Sequence, residues 1–242
     1  MIHAPDHMVF VILAVLFPIR AVTFGFRRLE AAGPAEVPRV RLWLYRQIMI
    51  LQASLSALVV WLWVVFRRPW GDLGLEPRAT WGLAGVALGV LIVIPLVVLQ
   101  HLRARGDPET AARVRQRFAR LERMLPHDRR ELRWFSAVGI TAGVCEELLY
   151  RGFVLWYLGH WLAIGPAVAG SAIVFGIGHF YQGPRGMVTT ALVGAFMAAV
   201  YLVSGSLLAP MVIHALMDLY SGWATYEAFR APAPAADPPA GA

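Results

Sequence analysis

The chain contains no lysine and a single cysteine, and only 15% of its 242 residues are charged. One cysteine excludes any intramolecular disulfide, so nothing marks an oxidising compartment. So few charges exclude an ordinary soluble domain, which carries about 25%. The net charge of +7 is entirely arginine and lies between apolar runs. Topology and anionic headgroups account for it there, and no motif points to nucleic acid. The N-terminal MIHAPDHMVFVILAVLFPIR lacks the positive n-region and small-residue cleavage site of a signal peptide and reads as a retained first span. Three protease signatures are also missing: HExxH for zinc, GxSG for a serine nucleophile and GxGD for paired aspartates.

What remains is apolar. Hydrophobic residues make up 58% of the chain, in seven runs at about 8–24, 47–66, 81–100, 134–158, 165–181, 187–204 and 206–226. The pattern predicts an all-α polytopic transmembrane helical bundle of about seven to eight spans, the eighth arising if 152–162 breaks away from the fourth run. Residues 1–230 read as a single integral membrane domain with its motif-bearing core at about 130–226. The Pro/Ala-rich tail, 231–242, reads as disordered. Residues 101–133 hold ten arginines against five acids. Together with the arginines of 27–46, they put these loops in the cytoplasm, the N-terminus outside and the C-terminus inside. Arg67, Arg68 and Arg78 fall on the opposite side, against the rule. Within the basic loop, 108–125 reads as an amphipathic helix with Val114, Phe118, Leu121 and Leu125 on one face. That face suits either docking of anionic lipid or substrate tails at the interface, or a solvated linker.

The anomaly is CEELLYRGF at 145–153. Three charges in mid-span cost about 8–10 kcal/mol on insertion scales, against about 0.3–0.6 kcal/mol returned by each large apolar residue. Glu146, Glu147 and Arg151 must therefore pair, face the bundle interior or reach water, which makes them functional candidates. Glu147 and Arg151 are four residues apart and stack on one face in the favourable order, whereas Glu146 is turned by about 100°. The expectation is an internal Glu147–Arg151 pair, with Glu146 left free to act. A structural alternative makes all three one ionic knot between helices. Two later spans offer partners: FGIGH sets Phe175 and His179 four apart, and HALMD does the same for His214 and Asp218. A buried carboxylate beside histidines suits a general base that takes a proton from water, with His179 sharing it and His214 donating to a developing oxyanion. Cys145 reads as packing, since adjacent carboxylates oppose a thiolate.

In order and spacing, EELLYR, FGIGH and HALMD resemble the EExxxR, FxxxH and HxxxN/D motifs of the CPBP intramembrane proteases, which include the type II CAAX prenyl endopeptidases. The likeness covers roughly 130–220, and WGDLGL at 70–75 is similar to the family's preceding loop. The resemblance implies a glutamic-type intramembrane peptidase with Glu146 as base and His179 as its partner in activating water. His214 and Asp218 would support the oxyanion, Glu147 and Arg151 hold the geometry, and Phe175 packs on the catalytic histidine. Asp218 stands where asparagine is usual. A carboxylate cannot donate to an oxyanion as an amide can, so Asp218 orients His214, is protonated, or helps bind a cation. Hence zinc is the runner-up to metal-independent hydrolysis, for which no cofactor is expected. The expected partners are membrane lipids and a protein or peptide with a membrane-associated C-terminal segment. The arginine- and alanine-rich composition suggests a bacterial inner membrane. The rival functions are a non-catalytic immunity or scaffold protein of the same fold, and a transporter using these residues as a proton relay.

Overall fold

The computed structural model describes residues 1–20, 25–76, 80–103 and 105–231, and among them every regular element is a helix. The first run is α1 (Ala4–Val11), a π-helical stretch (Ile12–Leu16) and α2 (Phe17–Arg20), followed by α3 (Arg27–Ala31) and α4 (Val37–Val65). A 3-10 turn (Trp70–Leu73) precedes α5 (Trp81–Arg103). Next come α6 (Pro108–Phe118), a second 3-10 turn (Ala119–Met124) and α7 (Arg129–Glu147). A π-helical segment (Leu148–Val154) carries α7 into α8 (Leu155–Gly159). Then follow α9 (Ile164–Gly178), a short 3-10 turn (Phe180–Gln182), α10 (Gly183–Ser204) and α11 (Leu208–Arg230). Three stretches are long and apolar enough to cross a membrane by length and composition: Val37–Val65, Trp81–Arg103 and Phe180–Ser204. The expected tail lies outside the described residues, apart from Ala231.

Residues 152–162 do not break away from the fourth run. The helix continues without interruption from α7 through the π segment to Gly159. All seven residues of Leu148–Val154 are buried, and Leu149, Tyr150, Phe153 and Val154 form the main core with Leu55, Val59, Leu62 and Trp63 of α4. This helix sits at the centre of the bundle. A π turn loosens the backbone ladder and leaves a carbonyl to be satisfied; Ser171 Oγ of α9 donates to Tyr150 O at 2.8 Å. The opposite case is α5, none of whose residues is buried.

Local capping and arginines secure the ends. The Asp107 carboxylate caps α6 by accepting from Thr110 N, and Asp128 caps α7 by accepting from Glu131 N. Thr110's hydroxyl and N–H hold the Asp107 carboxyl below its usual range. Arg123 donates to the carbonyls of Leu29, Glu30 and Ala32 at the end of α3, and Arg115 to Ala228 O and Ala231 O at the end of α11. Cations at helix C-termini satisfy orphan carbonyls and the dipole together.

Three readings change here. The amphipathic helix stops at Phe118 rather than 125 and packs on α11, burying Ala111 and half-burying Val114. Part of its apolar face is therefore covered by α11, while Phe118 and Leu121 stay half-buried. Arg68 is no loop charge: both its Nη atoms donate to the Asp6 carboxylate, at 2.9 and 2.5 Å, and its guanidinium lies over Trp63, Phe66 and Trp156. Arg41, counted with the basic loops, is buried and bridged to Glu131 at 2.5 Å.

Candidate active site

Close packing of α7 on α11 brings the motif residues together. A Cβ on Gly143 would lie 2.7 Å from Ala215 N, and one on Gly139 would lie 2.9 Å from Asp218 Cβ. One on Gly222 would meet the Phe135 ring at 2.5 Å. The three contacts run in opposite senses along the two helices, so the pair is antiparallel. Only small residues allow backbones so close, and Gly139-x-x-x-Gly143 is the spacing that places both on one helix face. Glu147 lies one further turn along that face, and the register carries it to His214.

Glu147 is the hub. Its Oε1 accepts from Arg151 Nη1 at 3.0 Å and from His214 Nδ1 at 2.7 Å. The expected Glu147–Arg151 pair is present, and Glu147 also orients His214, a role the sequence reading had offered to Asp218. Because Nδ1 donates to a carboxylate, His214 presents Nε2 to the site. That atom is 3.8 Å from Glu146 Oε2 and 3.8 Å from Asp218 Oδ2. His179 sits just past the end of α9 with Nδ1 2.9 Å from Phe175 O. The carbonyl can only accept, so Nδ1 carries the proton and Nε2 is left as an acceptor, 3.9 Å from Glu146 Oε2.

Glu146 has one oxygen held and one open. Gln52 Nε2 of α4 donates to Oε1 at 2.6 Å, whereas Oε2 is buried without a partner. Glu147 Oε2, Arg151 Nε and Nη2, Gln52 Oε1 and Tyr150 Oη are likewise buried and unpartnered. Phe175 fills the space between these groups: its ring lies 4.7 Å from that of His179 and 6.1 Å from that of His214, with the Arg151 guanidinium 4.2 Å over it. Gly194 of α10 makes room for the pair, since a Cβ there would meet Arg151 Nη2 and Phe175 Cδ1 at 3.0 Å. Asp218 stands at the rim, its side chain 36% exposed. Cys145 is buried and free.

A cavity of about 80 Å³ is lined by Gln52, Glu146 and His179 together with apolar side chains that include Phe17, Phe26, Leu44 and Met124. Among the described residues, no group of three or more His, Cys, Asp or Glu side chains is arranged to hold a metal ion. The sequence reading missed Gln52, whose signal was available: an amide in an apolar run needs a partner as the charges do. It also passed over the Gly139–Gly143 spacing.

Residues 129–220 match the family model described as type II CAAX prenyl endopeptidase Rce1-like. No curated protein and no solved structure matches the chain. The matched segment runs from α7 through the π-helical stretch, α8, α9 and α10 into the site half of α11, and it contains every motif residue above. The chain is an integral membrane protein, and its segment 129–220 resembles the Rce1-like type II CAAX prenyl endopeptidases, a family of membrane proteases.

Proposed function

We propose that the chain is an intramembrane endopeptidase that cleaves near the C-terminus of membrane-associated or lipid-modified proteins with water activated by Glu146. One observation carries this reading. Glu146 Oε2 is buried, unpaired, and faces the Nε2 atoms of His179 and His214 at 3.9 and 3.8 Å. These gaps are too long for direct hydrogen bonds and leave three polar atoms converging on one small site.

A water there gives one proton to Glu146 Oε2 and its second hydrogen bond to His179 Nε2, while its oxygen attacks the scissile carbonyl. His214, protonated on both nitrogens, donates from Nε2 to the oxyanion, its charge balanced by the Glu147 carboxylate at Nδ1. The tetrahedral intermediate collapses with breakage of the C–N bond, and Glu146 returns its proton to the leaving amine. Arg151 holds Glu147, and Phe175 fixes both imidazoles. The hydrolysis is metal-independent, and Asp218 acts on His214 from the rim. The membrane is a bacterial inner membrane, with the N-terminus outside and the C-terminus in the cytoplasm. Burial of Arg68 with Asp6 removes one of the three cations that opposed this orientation.

The test is cleavage of an internally quenched peptide with an S-prenylated CAAX tail by the purified chain in proteoliposomes, for wild type and Glu146→Gln, with and without a zinc chelator. Loss in the variant and indifference to the chelator are expected. Undiminished cleavage by a folded Glu146→Gln protein sinks the mechanism. Loss on chelation, restored by zinc, transfers the same residues to a metallopeptidase. Comparing membrane peptidomes with and without the protein then identifies the natural C-termini.

A further inference from the structure

We propose that Gln52 is a positioning residue for the reaction, holding Glu146 so that one carboxylate oxygen is fixed and the other is presented to water; this rests on Glu146 being the base. Gln52 comes from α4, outside the segment matched to the family, and is 2% exposed. The orientation of its amide follows from chemistry: only the NH₂ can donate to a carboxylate, so Nε2 faces Glu146 Oε1 at 2.6 Å.

The terminal torsion of a glutamate is broad and soft. An unrestrained Glu146 carboxylate would rotate, and neither oxygen would stay between the two histidines. A short charge-assisted bond to Oε1 removes that freedom and leaves Oε2 facing His179 and His214. A bond that merely joined helices would serve best with both ends of the amide satisfied, because a buried carbonyl without a donor is destabilising. Gln52 Oε1 has no partner, and Gln52 lines the same cavity as Glu146 and His179. The amide is thus placed for the site, at a loss to the fold.

The experiment measures kcat and KM on the S-prenylated CAAX peptide for wild type, Gln52→Leu and Gln52→Glu. The first variant removes the donor, and the second keeps the shape without a donor for an ionised partner. For both, kcat is expected to fall about 10–100-fold, the worth of a hydrogen bond to a charged group, with KM changed less than about threefold. Adding Gln52→Leu to Glu146→Asp, whose carboxylate is one methylene further from the amide, is expected to lower kcat by less than about threefold more. If Gln52→Leu is not recovered folded, Gln52→Met replaces it. A kcat within about threefold of wild type in folded variants, or the full loss persisting in the Glu146→Asp background, overturns the inference. Glu146→Gln separates the two readings. Full activity there defeats the general-base mechanism, whereas an inactive Glu146→Gln beside fully active Gln52 variants defeats only the role of Gln52.

Discussion

Asp6–Arg68 and Glu147–Arg151 are both carboxylate–guanidinium pairs shut away from solvent, with side-chain exposures of 0% and 6% against 0% and 1%. They differ in closure. Both Asp6 oxygens accept from Arg68, and Oδ2 also accepts from His3 N, while three aromatic rings cover the guanidinium and only Arg68 Nε is left without a partner. Around Glu147 and Arg151 one bond joins the pair, and Glu147 Oε2, Arg151 Nε and Arg151 Nη2 are left without partners. A few residues away, Glu146 Oε2 and Gln52 Oε1 are open too. Burial does not distinguish the two pairs; unfilled hydrogen-bond capacity does, with one open atom in the first against three in the second. The first pair pins the start of α1 to the end of α4. The second belongs to a group of side chains that still has room for a ligand.

The contrast breaks most sharply at Glu146. Removing the open carboxylate with Glu146→Gln should lower kcat by about 10²–10⁴, the range of general-base catalysis, without lowering the melting temperature. Asp6→Ala should do the reverse. It strands a buried arginine and should cost about 3–5 kcal/mol of stability in detergent unfolding, with cleavage per folded molecule unchanged. If Asp6→Ala instead cuts turnover in folded protein, closure is a poor guide to role. Gly143→Val tests whether the site depends on the α7–α11 approach. Its added methyls meet Ala215 backbone and should cost about 1–3 kcal/mol by overpacking, with kcat falling because Glu147 and His214 separate. The smallest effect belongs to Asp218→Asn. Asp218 is partly exposed and 3.8 Å from His214 Nε2, so kcat should stay within about tenfold, or 1.4 kcal/mol. A hundredfold loss would move Asp218 into the proton chemistry.

Much of this was legible because charge in an apolar run is expensive. Glu146, Glu147, Arg151, His179, His214 and Asp218 stand out for that reason, and their four-residue spacings give the faces they share. The long helices follow from run length, and the structure extends α4 upstream to Val37 and α7 to Arg129. Links between helices were not legible. The choice of Gln52 for Glu146, and of Glu147 rather than Asp218 for His214, depends on how α4 and α11 rotate against α7. No local pattern states that rotation, although the Gly139–Gly143 face carries part of it. Arg68 misled for a related reason. An arginine just beyond a span reads as a topology signal, and its partner Asp6 lies 62 residues away. The apolar face of α6 has an ordinary amphipathic signature whichever surface covers it, and here α11 covers part of it.

The π segment at Leu148–Val154 acts as a phase shifter in the central helix. It widens the helical turn, so the residues after it are rotated relative to those before it. Glu146 and Glu147 lie upstream of the shift; Trp156 and Tyr157 lie downstream, where Tyr157 stacks on Phe10 and is hydrogen-bonded to His7. Deleting one residue from this segment would leave the carboxylates in place and turn the downstream half by about 100°, taking Tyr157 away from the N-terminal helix. An alignment gap of a single position between the EExxxR motif and Tyr157 would therefore mark a chain whose first helix is seated differently.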